Sequence, residues 1–253
     1  MKLFAHELRV EQKLFWRNRE AAFFTFALPI VFFLIFGSVY GDSTIKEGAR
    51  RVRGAAYLEA GMIGYGIAST AFAGLAITLV IRRESGILKR VRGTPLPPAV
   101  YLSAVLGSTV IVFAIQTVLI IVLGHVLYDV RWPTVPLSVV LLLLLGAAAF
   151  AALGLAITTA VRSAEGSSAV VNAVYLPMAI ISGTFFSPTS YPHFLRVVAD
   201  LLPLTYFTKL ARDVILHGKE IWADPGAITW VACWGAIGLA LAIARFRWEP
   251  REG

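Results

Sequence analysis

The 253-residue sequence holds a single cysteine, Cys233, so no disulfide can form within the chain and no thiolate metal cluster can be built. Its four histidines, at positions 6, 125, 193 and 217, are scattered, and no H-E-x-x-H pair occurs, which excludes the usual helical zinc-hydrolase arrangement. A G-x-x-x-x-G-K-[ST] phosphate loop is also missing. Gly218-Lys219 is the nearest fragment, and Glu220 stands where Ser or Thr would be needed. Charged residues make up only 15% of the chain, against about 25% in soluble domains. With 58% apolar residues and a mean hydropathy of +0.75, a water-soluble globule could not cover its own apolar surface. The remaining charge sums to +8, yet no basic run is interleaved with aromatics as single-strand binding would need. No nucleic-acid partner is expected; the excess suits the flanks of membrane spans facing anionic lipid.

What is present is long apolar runs. Six can be read, at 21–41, 57–81, 99–128, 136–161, 169–187 and 226–244. Each meets the roughly 17 to 25 residues that a hydrocarbon core requires, or slightly exceeds it with tilt. They are continuous rather than alternating, which predicts helices and not barrel strands. The expected fold is therefore all-α and integral to the membrane, with residues 21–253 forming one six-span domain. The charged first twenty residues, followed by an apolar run too long for an h-region, predict no cleaved secretory signal. With the N-terminus inside, fourteen Lys and Arg fall on cytoplasmic segments and nine outside. That bias predicts a multi-pass protein of the cytoplasmic membrane with both termini cytoplasmic; the basic cluster Arg50 to Arg53 opposes it.

Three segments outside the spans carry more specific information. Within residues 1–20, Leu3, Phe4, Leu8, Val10, Leu14 and Phe15 fall in one arc of roughly 160° at 100° per residue, with Lys2, Arg9, Lys13 and Arg17 opposite. This describes either an amphipathic helix on the inner membrane surface or a solvated basic flank that anchors topology. Glu7 and Glu11 interrupt the apolar arc; acids there would be costly in lipid and suit a basic protein interface better. The second segment, 82–98, holds a short helix with Ile87, Leu88 and Val91 on one side and basic residues on the other, capped by Gly93 and stopped by Pro95. Such a face suits docking into a cleft of a cytosolic protein. The third, 188–224, has two interrupted amphipathic stretches, one ended by Pro203 and one by Gly218. They are too broken and polar to span and fit re-entrant or interfacial helices on the outer side.

Chemistry within the spans is sparse. Glu59 and His125 are the ionisable candidates in apolar runs, each near a run's end. Glu59 reads either as an interfacial carboxylate in water or as a gate or substrate contact near the outer mouth. An ion-coupled secondary transporter would need more such groups, and an intramembrane hydrolase would need a base beside Ser69, Ser103, Ser108 or Ser182. A channel subunit would leave the docking-type loop unexplained.

The string Arg83-Glu84-Ser85-Gly86-Ile87-Leu88-Lys89-Arg90-Val91-Arg92-Gly93-Thr94-Pro95-Leu96 carries the strongest resemblance to a known family. Leu176-Pro177 with Ser182-Gly183-Thr184-Phe185-Phe186-Ser187-Pro188, and Pro203-Leu204-Thr205-Tyr206 followed by Ala211-Arg212, complete it in the same order. The chain resembles, over nearly its whole length, the type-2 ABC transporter permeases, which include daunorubicin-resistance-like drug, antibiotic and polysaccharide export subunits. The resemblance implies that residues 1–20 are a connecting helix with Glu7, Glu11 and Arg17. It implies a coupling helix in which Arg83, Glu84, Gly86, Ile87, Leu88, Lys89, Arg90 and Arg92 meet the ATPase. It implies outer re-entrant helices with Pro203, Thr205, Tyr206 and Arg212. It further implies two permease chains, identical or homologous, and two ABC ATPase subunits that bind ATP and Mg, with no cofactor bound by this chain and no enzymatic activity of its own. A hydrophobic or amphipathic substrate would pass between the permeases, along spans two and five.

Overall fold

The computed structural model describes residues 2–47, 50–246, 248 and 249. Arg247 and Arg251, which enter the charge bias above, lie outside them. Among the described residues, six helices are long and apolar enough to cross a membrane: Arg19–Tyr40, Gly54–Glu84, Pro98–Tyr128, Pro136–Thr158, Ala164–Ile181 and Pro225–Arg245. They are the backbone of an all-helical bundle. We label α1 Lys2–Arg17, α2 Arg19–Tyr40, α3 Gly54–Ile67, α4 Leu75–Glu84, α5 Ile87–Arg92, α6 Pro98–Tyr128, α7 Pro136–Thr158, α8 Ala164–Ile181, α9 His193–Leu201, α10 Pro203–Ala211 and α11 Pro225–Arg245. Span two is α3 and α4 joined by a π-helical stretch, Ala68–Gly74, and a second π stretch, Arg212–Leu216, prolongs α10.

Local chemistry explains where these helices begin and end. The Asn18 side chain accepts from the Ala21 N–H to start α2, Ser163 accepts from Gly166 for α8, and Asp224 accepts from Ala227 for α11. The Lys209 ammonium, 2.6 Å from Asp224, joins this cap and holds its carboxyl below the usual carboxylate range. Pro98, Pro136 and Pro225 occupy first-turn positions, where a missing N–H costs nothing. The fifth span differs most from the expected 169–187. It starts earlier, because Ser163 caps a polar first turn, and ends earlier, because Gly183 turns the chain with φ 79°. Between spans one and two, Thr44–Glu47 and Arg50–Arg53 pair as an antiparallel hairpin, Ile45 opposite Val52. The expectation of a purely α-helical chain is corrected to that small extent: β-branched residues at 44, 45 and 52 favour extended backbone between two helix ends.

Span two is the centre of the molecule. Every residue of α3 is buried, because spans one and three, the turn after span five and α10 all pack on it. Glycines make this possible: Gly61 lies against the Thr184 carbonyl, Gly64 against the Thr208 methyl and Gly66 against Gln116. Helices in lipid gain little from the hydrophobic effect between themselves, so close backbone approach at small residues supplies the attraction. Spans four and six use the same device, with Gly235 on Ala149 and Gly238 on Ala152 and Leu153. A path between two chains along the first half of span two is thereby corrected, since α3 has no outward face. Apolar residues do face outward on the other spans, among them Phe24, Val31 and Ile35 on span one, Val118 and Val126 on span three, Leu137 and Val140 on span four, Val170, Val174 and Ile180 on span five and Ile237 and Ile243 on span six, and on α9 (Phe194, Val197, Leu201).

Candidate functional site

Two polar centres stand at opposite ends of span two. At the α1 end, consecutive arginines diverge. Arg82 donates from both terminal nitrogens to the two carboxylate oxygens of Glu11, each at 2.8 Å, and also to the Tyr101 hydroxyl at 2.8 Å. Arg83 turns the other way. It is 1% exposed and donates to the carbonyls of Thr158 at 2.9 Å and Val161 at 2.7 Å, and from Nε to Glu84 at 2.7 Å. Those carbonyls lie at and just past the end of α7, where the helix dipole places partial negative charge. Helical rotation of about 100° per residue explains the divergence: neighbours on one helix reach different partners. The root of the 82–98 loop is thus tied to α1 and span three by one arginine and to span four by the other.

Beyond these arginines Gly86, at φ 73°, turns the chain sharply into α5, which Gly93 ends. Leu88, expected on a docking face, is instead 0% exposed within the chain's own core. It anchors α5 to the bundle. Ile87, 42% exposed, projects with Lys89, Arg90 and Arg92, and Arg92 lies 3.9 Å from Glu249. Glu7 is half-buried and Arg17 exposed on α1. Glu11, which broke the apolar stripe, is buried because its partner is Arg82 of the same chain. Gln12 beside it donates to Ser108 Oγ at 2.9 Å and to the Ser108 carbonyl at 3.1 Å. Removing one partner of a largely buried ion pair strands the other, so Glu11→Ala is expected to cost about 3 kcal/mol and to loosen α1. Limited trypsin cleavage at Arg17 or Arg19 that stayed at the wild-type rate would contradict this.

At the other end, the turn after span five is pinned from two sides. Tyr57 Oη donates to the Gly183 carbonyl at 2.9 Å, Arg212 donates to the same oxygen, and the Arg212 guanidinium sits 4.1 Å over the Tyr57 ring. Thr208 Oγ1 donates to the Ser182 carbonyl at 2.9 Å. Pro203 is buried at the start of α10, Thr205 is half-buried there, and the Tyr206 ring packs 5.4 Å from Trp230. The structure brings Arg212 together with the 182–188 string but sets Tyr206 apart, against span six. Glu59 is 1% exposed and lies against Gly124 of span three. That excludes the reading of a carboxylate in water. Among the described residues, neither of its oxygens meets a hydrogen-bond donor. His125 Nδ1 meets the Val130 carbonyl at 3.0 Å.

Tyr57, Arg82, Tyr101, Gln116 and Thr208 were not singled out by sequence. Arg82 and Tyr101 sit at the margins of apolar runs, where they read as interfacial anchors. Tyr57 and Thr208 carry no periodic signal that separates a structural hydroxyl from a packed one.

A helical bundle with six candidate spans, a surface helix and polar centres tying its loops to a central span defines a multi-pass membrane protein. Residues 3–216 match the family described as ABC-2 type transporter, and the chain belongs to that family. It is similar to a Bacillus subtilis (strain 168) protein named "Putative transport permease YvfS", with 25% identity over 215 residues, 85% of this chain and 86% of that protein. The chain is accordingly a membrane permease of an ABC transporter.

Proposed function

We propose that this permease is the membrane half of an ATP-driven exporter, with both termini cytoplasmic, and that α5 docks on a separate ABC ATPase. The observation that carries this reading is the pairing of an exposed, apolar and basic helix surface, Ile87 with Lys89, Arg90 and Arg92, with a root held by Arg82 and Arg83. A docking helix on a slack tether would waste the movement of its partner. On this reading a displacement of α5 would be passed through Arg82 and Arg83 to α1, span three and span four. The cargo would be hydrophobic or amphipathic, a drug, a lipid or a lipid-linked polymer. A second permease chain would pack on the outward apolar faces of spans one and five; Phe32 and Phe36 of span one touch Phe185 in the turn after span five. Glu7 and Arg17, on the surface of α1, would flank the ATPase, and Arg212 with Thr205 and Tyr206 would belong to the outer gate.

The test is transport into inverted vesicles holding this chain and its ATPase, with ATP supplied and ion gradients collapsed. ATP-dependent accumulation against the substrate's own gradient is expected there, whereas an ion-coupled carrier or a channel would allow at most downhill equilibration that does not depend on ATP. Ile87→Asp places a charge on the exposed apolar point of α5. It is expected to reduce uptake by more than tenfold while membrane insertion and thermal unfolding stay as in the wild type. Undiminished uptake in that variant would remove α5 from the coupling role.

A further inference from the structure

A cavity of about 200 Å³ opens beneath α1, bounded by α1, span one, the π stretch of span two and span three. It is roomy enough for several waters or a small polar group. It borders the first polar centre, whose Glu11–Arg82 pair forms part of its wall, and lies away from the turn after span five. Its lining is unusual for membrane depth. Thr25, Ser69, Thr70, Thr78, Ser108 and Thr109 all face it from three different spans. Hydroxyls turned toward hydrocarbon gain nothing, and polar groups within spans commonly mark a ligand path.

The hydrogen bonds around the cavity define what it can accept. Thr25 donates to the Ala21 carbonyl at 2.7 Å, Ser69 to Gly66 at 3.0 Å and Thr109 to Val105 at 3.0 Å. Thr70 donates to Gln116 Oε1 at 3.1 Å, and Gln116 donates onward to the Thr25 carbonyl at 2.8 Å, so a buried amide ties the three spans together at this level. With these four protons committed to the protein, the hydroxyls of Thr25, Ser69, Thr70 and Thr109 present oxygens that accept, whereas Ser108 Oγ itself accepts from Gln12. A ligand group that brings donors and can also accept, such as a hydroxyl, matches that lining. It cannot bring net charge at low cost, because the charged lining groups, Glu11 and Arg82, neutralise each other across two bonds of 2.8 Å. Between the hydroxyls lie apolar surfaces, Leu75, Val105, Val112 and the ring of Phe15, which stands edge-on to Trp16 at 5.2 Å. Hydroxyl donors set on an apolar ring face are the signature of a sugar or polyol. The π geometry of Ala68–Gly74 is a second, independent pointer, since such stretches re-aim side chains and concentrate at functional sites. Here it presents Ser69, Thr70 and Gly74 to one slot.

We infer that this cavity binds an amphiphile through an uncharged, hydroxyl-rich head group, taken from the membrane leaflet on which α1 lies. The inference deepens the exporter reading by naming a site and a head-group class, and it is tested without ATP so that the two can fail separately. The full-length chain is placed in phosphatidylcholine nanodiscs with a photoactivatable dodecyl glucoside. Labelling is expected on the peptides that carry Ser69 to Thr78 and Val105 to Val112. Glucosyl-diacylglycerol should compete, and anionic phosphatidylglycerol should not. Ser69→Leu fills the slot and should lower labelling at least tenfold. Thr78→Val keeps the shape and removes one oxygen, and should lower labelling about threefold even if the leucine variant fails to insert. Equal competition by phosphatidylglycerol, or labelling unchanged in Thr78→Val, would overturn the assignment. Adding the ATPase and ATP then separates two sources of the same chemistry. A glucoside that crosses the bilayer is cargo and one that stays is a resident lipid, and either result retains the site.

Discussion

Arg83→Ala is expected to lower stability by about 3–5 kcal/mol, the usual cost of removing one member of a buried charged network, and to abolish ATP-driven transport. The guanidinium is 1% exposed and bridges two carbonyls at the end of span four, at 2.9 and 2.7 Å, while holding Glu84 at 2.7 Å. Hydrogen bonds to a charged donor contribute about 1.5–3 kcal/mol each, and alanine leaves two carbonyls facing one another without a proton. Lysine restores the charge as a single point and cannot make the same fork. Thermal unfolding in nanodiscs should therefore rank wild type above Arg83→Lys above Arg83→Ala, and transport should follow the same order. A lysine variant that transports like the wild type would mean that charge alone, and not the bridge to span four, is what the loop needs.

The second large effect is expected at Gly61. A Cβ there would lie 2.0 Å from the Thr184 carbonyl oxygen, an approach that no side-chain rotation can relieve because both partners are backbone. Span two and the turn after span five must then separate. That breaks the bonds from Tyr57 and Arg212 to Gly183, which depend on the same closeness. Gly61→Ala is expected to cost at least the roughly 1–3 kcal/mol typical of overpacking and to eliminate transport even where the protein still inserts. Gly226→Ala serves as the comparison. The nearest atom to its added Cβ is Asp224 Oδ1 at 3.5 Å, ordinary contact distance, and it should match the wild type within about 0.5 kcal/mol. If Gly61→Ala unfolds at the same temperature as Gly226→Ala, the close packing described here is wrong.

Much of the architecture was readable because its cause is local and repetitive. Five of the six expected spans have ends within about three residues of the observed helices, since apolar length against a bilayer needs no knowledge of neighbours. The fifth was displaced because a serine cap and a glycine with positive φ outrank the apolar count at its ends. The amphipathic start and the short helix after span two were likewise legible from periodicity and from Gly93 and Pro95. Orientation of single side chains was less so. Leu88 and Ile87 are adjacent and alike in hydropathy, yet one is core and the other exposed. Glu11 looked like a defect in an apolar stripe because its complement, Arg82, lies 71 residues away.

The sequence by itself determined that this chain crosses a membrane as helices and that short amphipathic pieces lie between and beside the spans. It determined too that no phosphate loop is carried here. Those properties depend on composition and spacing along the chain, which hydrocarbon thickness and backbone geometry convert directly into helices. Only the tertiary structure decided that span two is enclosed, that Arg82 and Arg83 divide the root of the 82–98 loop between opposite neighbours, that Glu59 is buried, and that hydroxyls from three spans converge on one cavity. Each of these is a meeting of residues distant in sequence. In lipid such meetings are chosen by close packing at glycine and by the pairing of polar groups, and neither leaves a periodic trace along the chain.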